Sequence, residues 1–150
     1  MSLFSSPFSF VAHSSPTSRG TIKNRYRANQ VINFSGLRIN NITPTDLDGL
    51  IEWQNKCFIL IELKYYVNPE IKTGQRLALE RLSDSLNKPN IIFHAIHYNR
   101  SDDDIDAEQA IISRFYHKGT WFKPKREYGL NEAIFGFLEK IENKCKSKLN

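Results

Sequence analysis

The elements legible in the sequence run helix, three strands, helix, strand, strand, helix, which predicts an α/β domain with a mixed central sheet and helices against its faces. Three observations carry this. Two strand-like runs, 48–53 and 57–64, flank Gln54-Asn55-Lys56, which is turn chemistry at hairpin length. The stretch NIIFHAIHY, 90–98, is almost continuously apolar, the pattern of a strand covered on both faces. Between them, GQRLALERLSDSLN places Gln75, Leu79, Leu82 and Leu86 at offsets of four, three and four, one face of a helix.

Taken in order, residues 1–20 are Ser-rich with two prolines and no stable periodicity, so they are expected to form a flexible tail, leaving 21–150 as a single domain. Their Ser and Arg content also suits an organellar transit peptide, a minor reading, since Phe4, Phe8 and Phe10 could equally pack on the domain. From Asn24 to Phe34, weak helical spacing ends before Ser35-Gly36, where glycine suits a helix C-cap. LRINNIT, 37–43, alternates as a short strand that Pro44 closes. Thr73-Gly74 introduces the central helix, and Asn87-Lys88-Pro89 stops it. AIISRFYH, 110–117, is β-branched and aromatic and reads as a strand before a turn at Lys118-Gly119. Leu130, Ile134, Phe137, Leu138 and Ile141 define a C-terminal amphipathic helix, with Asn131 as its expected N-cap.

A chain of 150 residues with 40% hydrophobic content can bury one real core. Its apolar runs are too short to cross a bilayer, so no membrane association is expected, and the cytoplasm is the expected compartment. Cys57 and Cys145 form no C-x-x-C pair, which indicates neither a disulfide framework nor a zinc site and fits a reducing compartment. The net charge of +5 resides in residues 1–45, which contain Arg19, Lys23, Arg25, Arg27 and Arg38 but no acid. A basic, acid-free segment suits contact with phosphates, although charge alone decides nothing about specificity.

The sequence IELK sets Glu62 and Lys64 inside the most apolar segment of the chain. If Asn55 centres a three-residue turn, positions whose numbers sum to 110 face each other across the hairpin, so Asp48 opposes Glu62 and Asp46 opposes Lys64. Glu62 and Lys64 share a face by the two-residue period, so three or four charged groups converge at one end of the sheet while Phe58 and Leu60 continue that face into the core. Carboxylates gathered in this way repel unless something positive lies between them, and oxygen-only ligation suits Mg²⁺ or Mn²⁺. Such an ion polarises a phosphodiester oxygen and lowers the pKa of bound water, while Lys64 would orient that water or stabilise charge developing on the phosphate. The plainer reading is an exposed cross-strand salt bridge contributing about 0.2–1 kcal/mol. The apolar neighbours of Glu62 argue against it, because buried charge without a purpose is rare.

This arrangement resembles the core of the PD-(D/E)xK nuclease superfamily, which includes restriction endonucleases, archaeal Holliday junction resolvases and phage exonucleases. Asp48 matches the acid at the start of the second core strand, Glu62 and Lys64 match the (D/E)xK element, and Gln75 matches a polar residue that several branches carry on the following helix. The resemblance spans about residues 24–98 and is nearest to small phage-borne members and resolvase-like proteins. It implies a restriction-endonuclease-like core and metal-dependent hydrolysis of DNA. Asp48 and Glu62 would be the metal ligands, the Leu63 carbonyl a further ligand, Lys64 catalytic and Gln75 supporting. Many such nucleases act as homodimers. Two departures stand out: Thr45 separates Pro44 from Asp46, and no acid lies on the first helix.

The alternative is a catalytically inactive module on the same scaffold that binds nucleic acid or a protein partner. Gln75 reads equally as a helix-start residue. His94 and His97 fall on opposite strand faces and read as core or surface histidines rather than a metal pair. Ser101-Asp102-Asp103-Asp104-Ile105-Asp106 reads as a solvated loop. HKGTWFKPKRE mixes basic and aromatic residues as nucleic-acid surfaces do, or its Trp121 and Phe122 simply cover the core.

Overall fold

The computed structural model describes residues 33–147. The chain divides into two units, 1–44 and 45–150. In the first, a 3₁₀ turn at Ser35–Leu37 precedes a single bridge between Ile39 and Ile42. The strand expected over 37–43 reduces to that bridge because Asn40 and Asn41 both take positive φ (48° and 66°) and turn the chain back at once. The expected helix at 24–34 lies almost wholly outside the described residues.

The second unit is α/β. Strands β1 (Gly49–Trp53), β2 (Cys57–Tyr65), β3 (Asn90–His97), β4 (Ile111–His117) and β5 (Thr120–Phe122) form one mixed sheet in sequential order. The β1–β2, β3–β4 and β4–β5 pairs are antiparallel, and β2–β3 is parallel. Helix α1 (Thr73–Ser85) makes the parallel connection from β2 to β3, and helix α2 (Leu130–Ser147) follows the sheet.

Alternation along the strands divides the core in two. Cys57, Ile59 and Ile61 of β2 and Ile91, Phe93 and Ala95 of β3 pack with Leu130, Leu138 and Ile141 of α2. Leu60 and Ile92 turn the other way, to Leu79 of α1 and to Tyr116. The α1 side therefore has the smaller apolar cluster, and polar side chains occupy the rest of that face.

The β1–β2 hairpin has the expected register, from Gly49 opposite Ile61 to Trp53 opposite Cys57, with every pair summing to 110. Gln54 and Asn55 take φ of 46° and 57°, and the Lys56 N–H donates to the Trp53 carbonyl at 2.7 Å. The Glu52 carboxylate accepts from the Asn55 N–H, and the Lys88 ammonium reaches the Asn55 carbonyl, so the turn is held from both sides.

Three local expectations shift. Leu82 is 43% exposed while Ser83 is buried, so the inner face of α1 runs through Gln75, Leu79 and Ser83. Ser83 fits there because its hydroxyl donates to Asn90 Oδ1. Helix α2 begins at Leu130, which puts Asn131 in its first turn, where the side-chain amide donates to Glu108 at 3.1 Å. The turn at Lys118-Gly119 leads into a short fifth strand, and residues 120–122 pair with β4. Among the described residues no helix is long and apolar enough to cross a membrane.

Candidate active site

Where β1 ends, the hairpin changes from backbone pairing to side-chain pairing. Asp48 precedes the first residue of β1, and its Oδ2 accepts from the Leu63 N–H at 2.7 Å, taking the place of a strand carbonyl. The N–H and C=O of one strand residue leave on the same edge, so the Leu63 carbonyl faces the Asp48 side as well. Gly49 permits the close approach: a Cβ there would lie 3.2 Å from the Ile61 Cβ.

On the next residue, Glu62, the side chain points to the α1 face and is fully buried at 0% exposure. The Lys64 ammonium lies against its Oε1, yet neither carboxylate oxygen receives a hydrogen bond of good geometry. Burial pushes the Glu62 carboxyl above the usual carboxylate range; Lys64 opposes the shift, and Asp48 and Asp46 add to it. Complete burial removes the reading of an exposed edge salt bridge.

Lys64 is part-buried and donates to Gln75 Oε1 at 3.2 Å, while the Gln75 amide makes a long 3.5 Å contact to the Asp46 carbonyl. Gln75 thus links the lysine of β2 to the segment entering β1 from the first turn of α1. Asp46 and Asp48 are exposed, so the group is buried at Glu62 and open to water at its acidic rim. Asp48, Glu62, Lys64 and Gln75 therefore converge at one end of the hairpin.

Two neighbours had no signal in the sequence beyond their residue type. His94 stands directly opposite Glu62 in the β2–β3 register and is buried, with Nδ1 accepting from Arg114 Nε at 3.2 Å. Burial, then the Arg114 charge, lowers its pKa to about 4, so the ring is neutral over the physiological range. Arg114 lies over Trp121 at 4.7 Å and 3.6 Å from Glu70. Only strand pairing brings these residues beside Glu62.

Among the described residues no group of three or more His, Cys, Asp or Glu side chains is placed to hold a metal ion. The oxygen donors here are two carboxylates and a backbone carbonyl, a hard set, and among the described residues the buried Glu62 oxygens have the Lys64 ammonium beside them and no hydrogen bond of good geometry. That donor set fits Mg²⁺ or Mn²⁺ chemically. Comparison with protein-family models, curated proteins and solved structures gives no match.

Proposed function

We propose that this chain is a metal-dependent nuclease of the PD-(D/E)xK type that hydrolyses phosphodiester bonds in DNA, built on a restriction-endonuclease-like core. The observation that carries the reading is Glu62, a fully buried carboxylate whose partner among the described residues is the Lys64 ammonium alone, set beside Asp48 and Gln75. Burying a carboxylate in this way costs several kcal/mol, roughly, unless a cation compensates, and a single part-exposed lysine compensates only in part. The hairpin that joins Asp48 to Glu62-x-Lys64, followed by a helix with Gln75 at its start, supports the same reading.

In this assignment Asp48, Glu62 and the Leu63 carbonyl would hold Mg²⁺ or Mn²⁺, which when bound would supply charge to polarise a phosphodiester oxygen and acidify water. Lys64, fixed between Glu62 and Gln75, presents its ammonium to the water or to the charge growing on the phosphate. Gln75 positions Lys64 and steadies the Asp46 segment. The acid-free residues 1–45 supply basic side chains for the DNA backbone.

The test is incubation of the purified protein with single-stranded, duplex and branched DNA and with RNA, in Mg²⁺, Mn²⁺ or EDTA. Metal-dependent cleavage that Lys64→Ala abolishes is expected. No cleavage, or cleavage that Lys64→Ala leaves intact, removes the assignment. A second reading is a binding module that holds nucleic acid or a protein partner without chemistry; among the described residues no third side-chain ligand joins Asp48 and Glu62, as such a module would have it. Binding that survives both EDTA and Asp48→Ala, with no product formed, identifies it.

A further inference from the structure

On the α2 side of the sheet, away from Glu62, a cavity of about 370 Å³ opens between β4, β5, the following loop and α2. Its walls are aromatic: Phe93, Phe115, Phe122, Tyr128 and Phe137 line it, with Phe115 and Phe122 stacked at 5.4 Å. Lys123, Lys125 and Lys140 also line it, and none of them makes an ion pair or side-chain hydrogen bond among the described residues. One lining residue is acidic, Glu132, and it is engaged by Arg126 at 2.5 Å.

Gly136 lines the same space from α2, and a Cβ built there meets no heavy atom within 4 Å. The segment HKGTWFKPKRE is split by the sheet. Trp121 turns to α1, donating to Glu80 Oε1 at 2.6 Å, while Phe122, Lys123 and Lys125 turn to the cavity.

We propose that this cavity is a binding site for a planar aromatic acid, a ring system bearing a carboxylate or a phosphate. Its volume suits a small ligand, and flat apolar walls favour a ring over a flexible chain. Three ammonium groups without partners among the described residues, beside a neutralised acid, call for an anionic head, and lysine, a compact point charge, serves carboxylate and phosphate alike. The chain's own basic segment has no acid to offer this rim. The site lies on the sheet face opposite Glu62, so it stands whether or not the nuclease assignment holds.

Isothermal titration of the full chain with 2-naphthoate, 2-naphthyl phosphate and 2-naphthol tests the proposal. Both anions should saturate a single site about tenfold more tightly than the neutral naphthol, the gain of a charge-assisted contact. The order of the two anions identifies the preferred head group. Lys123→Gln with Lys140→Gln should bring the anions down to the affinity of naphthol. Gly136→Leu should abolish binding of all three without lowering Tm, because leucine is favoured over glycine inside a helix. Gly136→Ala, which adds one methyl to the same space, should weaken binding by a smaller factor. Naphthol binding as tightly as the anions, affinity unchanged in Gly136→Leu, or no saturable binding overturns the proposal.

Discussion

A carboxylate with no exposed surface disfavours its own charge, and at Glu62 the Lys64 ammonium is the group that opposes this by contact. Lys64→Met should therefore destabilise the protein by about 3–5 kcal/mol near neutral pH, as removal of one partner of a buried pair does. Adding Glu62→Gln should recover most of the loss in urea denaturation. The pH dependence has a definite sign. The folded carboxyl titrates above its unfolded value of 4.5, so the penalty is absent below that value and grows as pH rises through the folded pKa. Lys64→Met should accordingly approach wild-type stability in acid. His94 has the opposite sense: folded, it titrates near 4 against 6.5 when unfolded. Its contribution is complete above 6.5 and is lost as pH falls toward 4, a change of about 3 kcal/mol. His94→Phe should flatten that part of the stability profile, measured as the denaturation midpoint at pH 7 and pH 4.5. An unchanged acid slope in the variant would show that His94 is not its source.

Helix α1 carries both the smaller core and one wall of the candidate site, so its rotation matters more than its length. Leu79 is 3% exposed and packs with Leu60 and Ile92, whereas Leu82 is 43% exposed. Leu79→Ala should cost about 2–5 kcal/mol and Leu82→Ala less than about 1 kcal/mol. Equal losses would mean that the helix presents another face. The leucine spacing in the sequence suggested a stripe through Leu82, but Ser83 occupies the inner position because its hydroxyl finds Asn90. A polar residue with a distant partner cannot be recognised as a core residue from periodicity. Strand β5 was hidden for a related reason. Its three residues lie between a turn and a lysine-rich loop, and only pairing with β4 makes them a strand.

At the scale of the whole molecule, the hydrophobic clusters of the sheet among the described residues lie between Leu47 and Cys145, inside the unit 45–150. A chain of residues 45–150 should unfold cooperatively with a Tm within a few degrees of the full protein, roughly, by calorimetry. Removing residues 1–44 takes away Arg19, Lys23, Arg25, Arg27 and Arg38 with no acid, so the net charge falls from +5 to 0. If these residues contact phosphates, the salt dependence of nucleic-acid binding should lose about 0.9 in slope for each contact removed. A slope equal to that of the full chain would place phosphate binding on the sheet unit instead.

The sequence by itself determined the α/β class, the order of elements from the hairpin to β4 and the C-terminal helix, the hairpin register and the approach of Asp48 to Glu62. These depend on neighbours in the chain: a turn centred on Asn55 sets which residues oppose one another, and the two-residue period sets which side they face. The apolar neighbours of Glu62 indicated burial, but only the tertiary structure decided that it is complete, that His94 stands against it and that Gln75 reaches Lys64. It also decided which side of the sheet Trp121 and Phe122 each serve. Burial and charge environment depend on what distant segments lay over a residue, and no local spacing encodes the parallel register that α1 imposes between β2 and β3.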